Sequence, residues 1–384
     1  MTSIYEDLGL SHVINCAGTV TRLGGPPLAP EVMEAMTSSS RHSVSIEELQ
    51  GKAGALIREV TGAEAGLVTS GAFAGLTLAA AAVLAGLDVG RMNRLPDTQG
   101  MPQKILVARP HRNSYDKALL LAGARLVEVG YDDRVAQTGV RGVEAQAFTE
   151  AIDADTAGIF YLARPDDTLA LEDVVRVAHA HHLPVIVDAA AQLPPRENLR
   201  KFIAQGADLV VFSGGKAIGG PQGTGILCGR ADLVASAGLQ MLDMDVAWPL
   251  WEPPSFLLKE RLTRVPYHGI GRGFKVSKEE IVGLMVALQR FVTYDSHPLW
   301  QNRLEEIAGY LPPGVGELVP GEIPLLIVDA GSRALEIVRE CRRGRPPIFF
   351  NERLVQRGKI IINPFSLQSG EERMVGERLA GLLE

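Results

Sequence analysis

Short apolar runs of β type recur along the first two thirds of this 384-residue chain, with helical patterns between them. The runs are Leu67–Thr69, Ile105–Ala108, Leu126–Val129, Ile159–Leu162, Val185–Asp188, Leu209–Phe212 and Gly225–Cys228. The helical patterns include Ile46–Val60, Asn113–Ala122 and Leu171–His181. Such alternation dictates a mostly parallel sheet covered by helices on both faces, an α/β fold. Pro249, Pro253, Pro254 and Pro266 then mark irregular chain before a long helix at about 277–294. The remainder changes character: a helix, a strand at Pro324–Val328, a helix from Ser332, a hairpin around Pro347–Asn363 and a last helix from about Gly370. This tail predicts a smaller α+β domain. The expected division is an N-terminal segment, 1–30, shared with the small domain and the site, then a large domain, 31–265. A connecting helix, 266–295, and the small domain, 296–384, complete it.

Composition narrows the classes. With 46% hydrophobic and 22% charged residues the chain can build a large core, and overall disorder is excluded. A formal charge of −7 argues against a broad nucleic-acid surface. Cys16, Cys228 and Cys341 are scattered without metal-ligand spacing, so reduced core thiols and no metal are expected. The first ten residues lack the basic and apolar regions of a signal peptide, which predicts a cytoplasmic protein. Residues 65–87 are uncharged and long enough to span a bilayer. Thr69-Ser70-Gly71 interrupts them, however, and alanine and glycine dominate the rest. Strand, turn and buried helix is the better reading, and no membrane span is expected.

Three strand ends carry chemistry. The run from Asp208 ends in Ser213-Gly-Gly-Lys216, with more glycine to Gly225. A lysine on a backbone-exposing loop suits a Schiff-base nucleophile, and also a solvated turn. The strand Val185–Asp188 stops at an aspartate 28 residues earlier. In open α/β sheets ligands bind outside the carboxyl ends of the strands. Lysine and acid together there match what pyridoxal phosphate requires: an amine for the Schiff base and a carboxylate that keeps the ring nitrogen protonated. Alone, Asp188 reads first as a helix N-cap; paired with Lys216 it does not. The third end is Ser70-Gly71-Ala72, ahead of an Ala-rich helix. Helix N-terminal N–H groups attract phosphate, Gly71 permits close approach, and Ser70 and Ser213 supply hydroxyls. Close helix–strand packing would also call for these small residues.

These motifs resemble those of fold-type I pyridoxal-phosphate enzymes, in the branch holding bacterial selenocysteine synthase and D-glucosaminate-6-phosphate ammonia-lyase. The likeness spans nearly the whole chain. It is carried by Val13–Gly25, Thr69–Ala72, Pro110–Asn113, Val187–Pro194, Phe212–Gln222 and Gly269–Glu280. It implies the transferase fold of that family and pyridoxal 5'-phosphate as cofactor. It further implies that His111 stacks on the cofactor ring, with a surface loop histidine as the other reading. Ala190 would then lie on the opposite ring face and Gln192 near the phenolic oxygen. Arg22 and Arg272 occupy family motifs and are the candidates for anionic substrate groups, since a guanidinium grips a carboxylate or phosphate with two parallel hydrogen bonds. Each also fits a role in pinning loop backbone. The aminotransferase carboxylate-binding arginine has no counterpart in Ile360–Gln368, which leaves Arg345, Arg353 and Arg373 as substitutes.

The implied reaction is elimination from an amino acid bearing a β-hydroxyl, with a phosphorylated sugar amino acid as the substrate class. Seryl-tRNA selenium transfer, aldol cleavage and racemisation use the same core residues and stay open, as does a silent scaffold. A small-molecule substrate and a homodimer or larger homo-oligomer are expected. Arg41–Val44 and Pro266–Arg272 are the candidate intersubunit segments.

Overall fold

The computed structural model describes residues 4–131, 143–165 and 167–384. They form two compact units, 28–292 and a smaller one made of 1–27 with 293–384. Strand β1 (Ile14–Cys16) belongs to the smaller unit. The larger unit holds β2 (Ala65–Thr69), β3 (Lys104–Ala108), β4 (Arg125–Val129), β5 (Thr156–Leu162), β6 (Val185–Asp188), β7 (Leu209–Ser213) and β8 (Gly225–Gly229). The smaller unit adds β9 (Gly316–Val319), β10 (Leu325–Asp329), β11 (Ile348–Phe350) and β12 (Lys359–Ile362).

The larger unit is one seven-stranded sheet ordered β2-β8-β7-β6-β5-β3-β4. Every neighbouring pair is parallel except those of β8, which runs antiparallel to both β2 and β7. Successive side chains of a strand point to opposite faces, so an unbroken apolar run fills two cores at once. In β7, Leu209 and Val211 enter one core while Val210 and Phe212 enter the other. The first core takes the helix Gly71–Ala85, which is uncharged and buried nearly all round. That helix and β2 are the two halves of the uncharged segment. Among the described residues no helix is long and apolar enough to cross a membrane.

Edge strand β2 is closed by a side chain. The buried Gln50 donates from Nε2 to Val68 O (2.9 Å) and accepts from Val68 N–H (3.0 Å), as a neighbouring strand would. Gln50 belongs to the helix Ile46–Thr61, whose N-cap Ser45 accepts from Glu48 N–H and whose C-cap Gly62 is left-handed. The long helix Lys278–Thr293 buries Ile281, Leu284 and Leu288 in the second core.

Two segments depart from the sequence reading. Over 113–122 the chain forms a 3-10 turn, Ser114–Asp116, and then a short helix, Lys117–Leu121. The Asn113 side chain accepts from Tyr115 N–H while Asp116 accepts from Asn113 N–H, a capping box that delays the helix. The expected hairpin at 347–363 is not one. β11 pairs in parallel with β1, and β12 pairs with β10 in an antiparallel sheet ordered β12-β10-β9. One bridge, Asn351 to Ile361, is what the two arms share. The core of this unit gathers Leu326, Val328, Ile360 and Ile362 against the helices His297–Tyr310, Ala334–Arg343 and Glu371–Leu383.

Candidate active site

Ladder register brings the motifs of the larger unit to one edge. Ser213, the last residue of β7, pairs with Gly225, which pairs with Thr69 at the end of β2. Asp188, the last residue of β6, pairs with Val211 of β7 and with Leu162 at the end of β5. With strands about 4.8 Å apart, Ser70, Ser213, Lys216 and Asp188 fall along one short stretch of the carboxyl edge.

The lysine loop is held by its own backbone. Gly214 N–H donates to Thr224 O (2.9 Å), Gly220 N–H to Gly214 O (2.9 Å), and Thr224 Oγ1–H to Pro221 O (2.6 Å). A Cβ on Gly215 would lie 2.5 Å from Gln222 Cα, so no other residue lets the loop fold back this closely. Lys216 is half-buried there, and loss of solvent pushes its pKa below the ordinary value, with the Asp188 charge as the opposing influence.

Asp188 is buried, and among the described residues its carboxylate accepts one hydrogen bond, from Ala190 N–H (3.0 Å). Burial pushes its pKa up, against that bond and the Lys216 charge. A buried carboxylate with one donor and no ion pair is under-compensated. A cationic ring nitrogen would supply the missing charge. Across β8, Ser70 precedes the helix Gly71–Ala85 with its hydroxyl not used as a cap, and Gly71 has φ +88°. A Cβ on Gly225 would come 2.5 Å from Gly71 C, so the turn lies directly on β8. The first-turn N–H groups of this helix, with Ser70, Gly71, Ala72 and Ser213, make a fit for a phosphate. Amine, uncompensated acid and phosphate cradle on one edge thus suit pyridoxal phosphate.

The other candidates are placed differently. His111 follows β3 in a 3-10 turn, and its side chain is buried. Its Nε2 lies 2.5 Å from Asp167 Oδ2, Nδ1 accepts from Leu162 N–H (3.4 Å), and Tyr161 packs edge-on at 4.7 Å. The buried Asp167 contact draws the ring inward. Ala190 and Gln192 are half-buried just past β6, and Gln192 N–H donates to Ala189 O. Arg272, in the turn Ile270–Phe274, pairs with Asp243 (2.6 Å). It lines a cavity of about 310 Å³ with Lys275, Glu47 and Gln50. Arg22 belongs to the smaller unit, where it pairs with Glu352 (2.6 Å) and sits over Phe349. Sequence reasoning missed Asp167 and Tyr161. The signal was an acid within five residues of the end of β5, on the same edge.

Comparison with known proteins places this geometry. A family model described as aminotransferase class-V matches residues 145–242. The chain is 31% identical to 5'-C-glycyluridine monooxygenase-decarboxylase of Streptomyces sp., over 100% of this chain and 92% of that one. It is 29% identical to D-glucosaminate-6-phosphate ammonia lyase of Salmonella typhimurium (strain 14028s / SGSC 2262), over 100% and 98%. L-seryl-tRNA(Sec) selenium transferase of Moorella thermoacetica is more distant, 25% identical over 99% and 84%. A solved structure of D-glucosaminate-6-phosphate ammonia-lyase matches with a TM-score of 0.80 at 29% identity, covering 100% of this chain and 98% of that one. Full-length similarity and the lysine–aspartate edge agree: the chain belongs to the fold-type I pyridoxal-phosphate enzymes.

Proposed function

We propose that this protein is an ammonia-lyase that converts an amino acid bearing a β-hydroxyl into a 2-keto acid and ammonia. The observation that carries the reading is the pairing of a half-buried Lys216 with an under-compensated Asp188 at one sheet edge, in a chain 29% identical over its full length to an ammonia lyase. When bound, pyridoxal phosphate supplies a conjugated ring that accepts the electron pair left at the substrate α-carbon. Asp188 holds the proton on the ring nitrogen. Lys216 Nζ takes the α-proton, a task helped by burial, which lowers its pKa toward working pH. Ser70, Gly71, Ala72 and Ser213 hold the phosphate, and the small side chain of Ala190 leaves room for the ring. Loss of the β-hydroxyl as water leaves an enamine, which takes up that water to give keto acid and ammonia. Atoms therefore balance without an oxidant.

Arg272 is the arginine proposed for an anionic substrate group, because its pair with Asp243 is partly exposed and exchangeable. A phosphorylated sugar amino acid is the proposed substrate class. The active unit is proposed to be a homodimer.

A second reading has its own support, since the 31%-identical relative is a monooxygenase-decarboxylase. One experiment separates the two. Phosphorylated and unphosphorylated β-hydroxy amino acids are incubated aerobically and anaerobically, and keto acid, ammonia and carbon dioxide are measured. Equal keto acid and ammonia with or without oxygen supports the lyase. Oxygen-dependent carbon dioxide release replaces it with the second reading.

A further inference from the structure

A closed circuit of hydrogen bonds sits beside the catalytic pair, and no role has been given to its acid. Asp167 Oδ1 accepts from Leu169 N–H (3.1 Å), and Tyr161 Oη–H donates to Leu169 O (2.7 Å). Asp167 Oδ2 faces His111 Nε2 at 2.5 Å, and His111 Nδ1 faces Leu162 N–H at 3.4 Å. Arg164 Nη1–H donates to Pro110 O (2.9 Å), tying the chain after β5 to the turn that carries His111. The His111 side chain is 0% exposed and that of Asp167 7%.

Donor counting fixes the proton. The Leu162 N–H is a donor only, so the Nδ1 it meets must be the bare, accepting nitrogen. The remaining ring proton is then on Nε2, where the Asp167 carboxylate accepts it. Both carboxylate oxygens are needed, one for Leu169 N–H and one for the ring. Leu162 itself pairs with Asp188 across the β5–β6 ladder. Ala163 N–H donates to Asp188 O, so the Leu162 N–H that holds the imidazole points to the opposite, β3 side of β5, and β5 stands between the ring and Asp188.

We propose that Asp167 is a positioning residue of the active site: it holds His111 as the neutral Nε2–H tautomer, an immobile uncharged ring on the β3 side of the carboxyl edge that also carries Asp188. The charged and titratable groups around the ring are Asp167, Arg164 and Tyr161. Burial disfavours the imidazolium and is the largest influence on His111, ahead of the attraction of Asp167. The role in catalysis rests on the function proposed above; the tautomer does not.

The test uses Asp167→Asn. An amide keeps a single oxygen, so either Leu169 N–H loses its acceptor or an NH₂ faces Nε2 and drives the proton to Nδ1. The full-length chain is labelled with ¹⁵N-histidine and examined by NMR with and without pyridoxal phosphate. The chain has eight histidines, and His111→Gln identifies the signal. Wild type should show the Nε2–H tautomer at pH 7, a result that needs no variant to fold. A doubly protonated or Nδ1–H ring in wild type overturns the proposal. In Asp167→Asn the tautomer signal should shift or broaden. The visible band of the cofactor-loaded protein should change its pH profile, and turnover should fall roughly 10–100-fold, as for outer partners that orient a working imidazole. An altered imidazole with a wild-type visible spectrum and pH profile would reduce the circuit to packing and overturn the catalytic role. A wild-type protein that never takes up pyridoxal phosphate, with the Nε2–H tautomer intact, would instead remove the function reading and with it the role of Asp167 in that function.

Discussion

Two aspartates with carboxylates withdrawn from solvent close stretches of the same sheet edge, and they are treated in opposite ways. Asp167 has both oxygens engaged, by Leu169 N–H and by His111. Asp188 accepts one backbone N–H, and its pKa is pushed up by burial. Folding alone would favour satisfying both, since an under-compensated buried carboxylate is costly. The carboxylate left short of partners marks where a ligand completes the structure. The satisfied one marks where the protein fixes its own geometry. A third acid, Asp208, lies at the opposite, amino-terminal end of β7 and is fully engaged by Val185 N–H (2.8 Å), His179 Nε2 (2.9 Å) and Arg230 Nη1 (3.1 Å).

The largest expected effect breaks the comparison at its functional end. Lys216→Ala should abolish both the visible absorbance of the cofactor-loaded protein and turnover, because no other described group couples to Asp188; an absorbance scan and a keto-acid assay read this directly. Retained turnover would move the chemistry elsewhere.

Asp188→Asn should lower turnover about 10²–10⁴-fold, since an amide cannot hold a proton on the ring nitrogen, while the phosphate cradle still binds. In the cofactor-free protein the same change should stabilise, by on the order of 1 kcal/mol. The sign follows from a folded pKa raised above the unfolded value. Protonation favours the native state, so charging Asp188 lowers wild-type stability as pH rises from about 3.8 through the raised value. The advantage of the amide should therefore be absent near pH 3.5 and grow as pH rises toward 7. Urea titrations at both pH values measure it, and a destabilised apo variant at pH 7 would show that Asp188 is not under-compensated.

The smallest effect tests the satisfied class. Asp208→Asn should cost about 1–3 kcal/mol of stability and leave kcat within twofold. Thermal melts and steady-state rates check the split, and a large fall in kcat at normal stability would erase the distinction between the two kinds of acid.

The sheet was legible because its signal is local. Runs such as Val185–Asp188 and Leu209–Phe212 are apolar on both faces, and their ends are marked by Asp, Ser and Gly. The strand-end positions of Lys216, Asp188 and the Ser70–Ala72 turn were legible for the same reason. The partner of His111 was not, because Asp167 lies 56 residues away and nothing in Pro110–Asn113 announces it. The hairpin reading of 347–363 failed likewise. Both arms are good strands, but β11 finds its partner in β1, at the other end of the chain. Arg22 read as a candidate for an anionic substrate group, and its Glu352 partner, 330 residues away, has no signature in the Gly-rich segment.

The reversed direction of β8 has a consequence for how this enzyme can be altered. A parallel successor to β7 would need a crossover of a dozen or more residues over one face of the sheet. Instead the chain returns to the same edge through the lysine loop, residues 214–224, with no crossover, so both stems of that loop are stitched into the same ladder, Ser213 to Gly225. The Lys216 amine thus rides on a cassette with two fixed ports. Changes in the outer helices can reshape what surrounds the loop without moving its attachment points, so the surroundings can vary while Lys216 keeps its place.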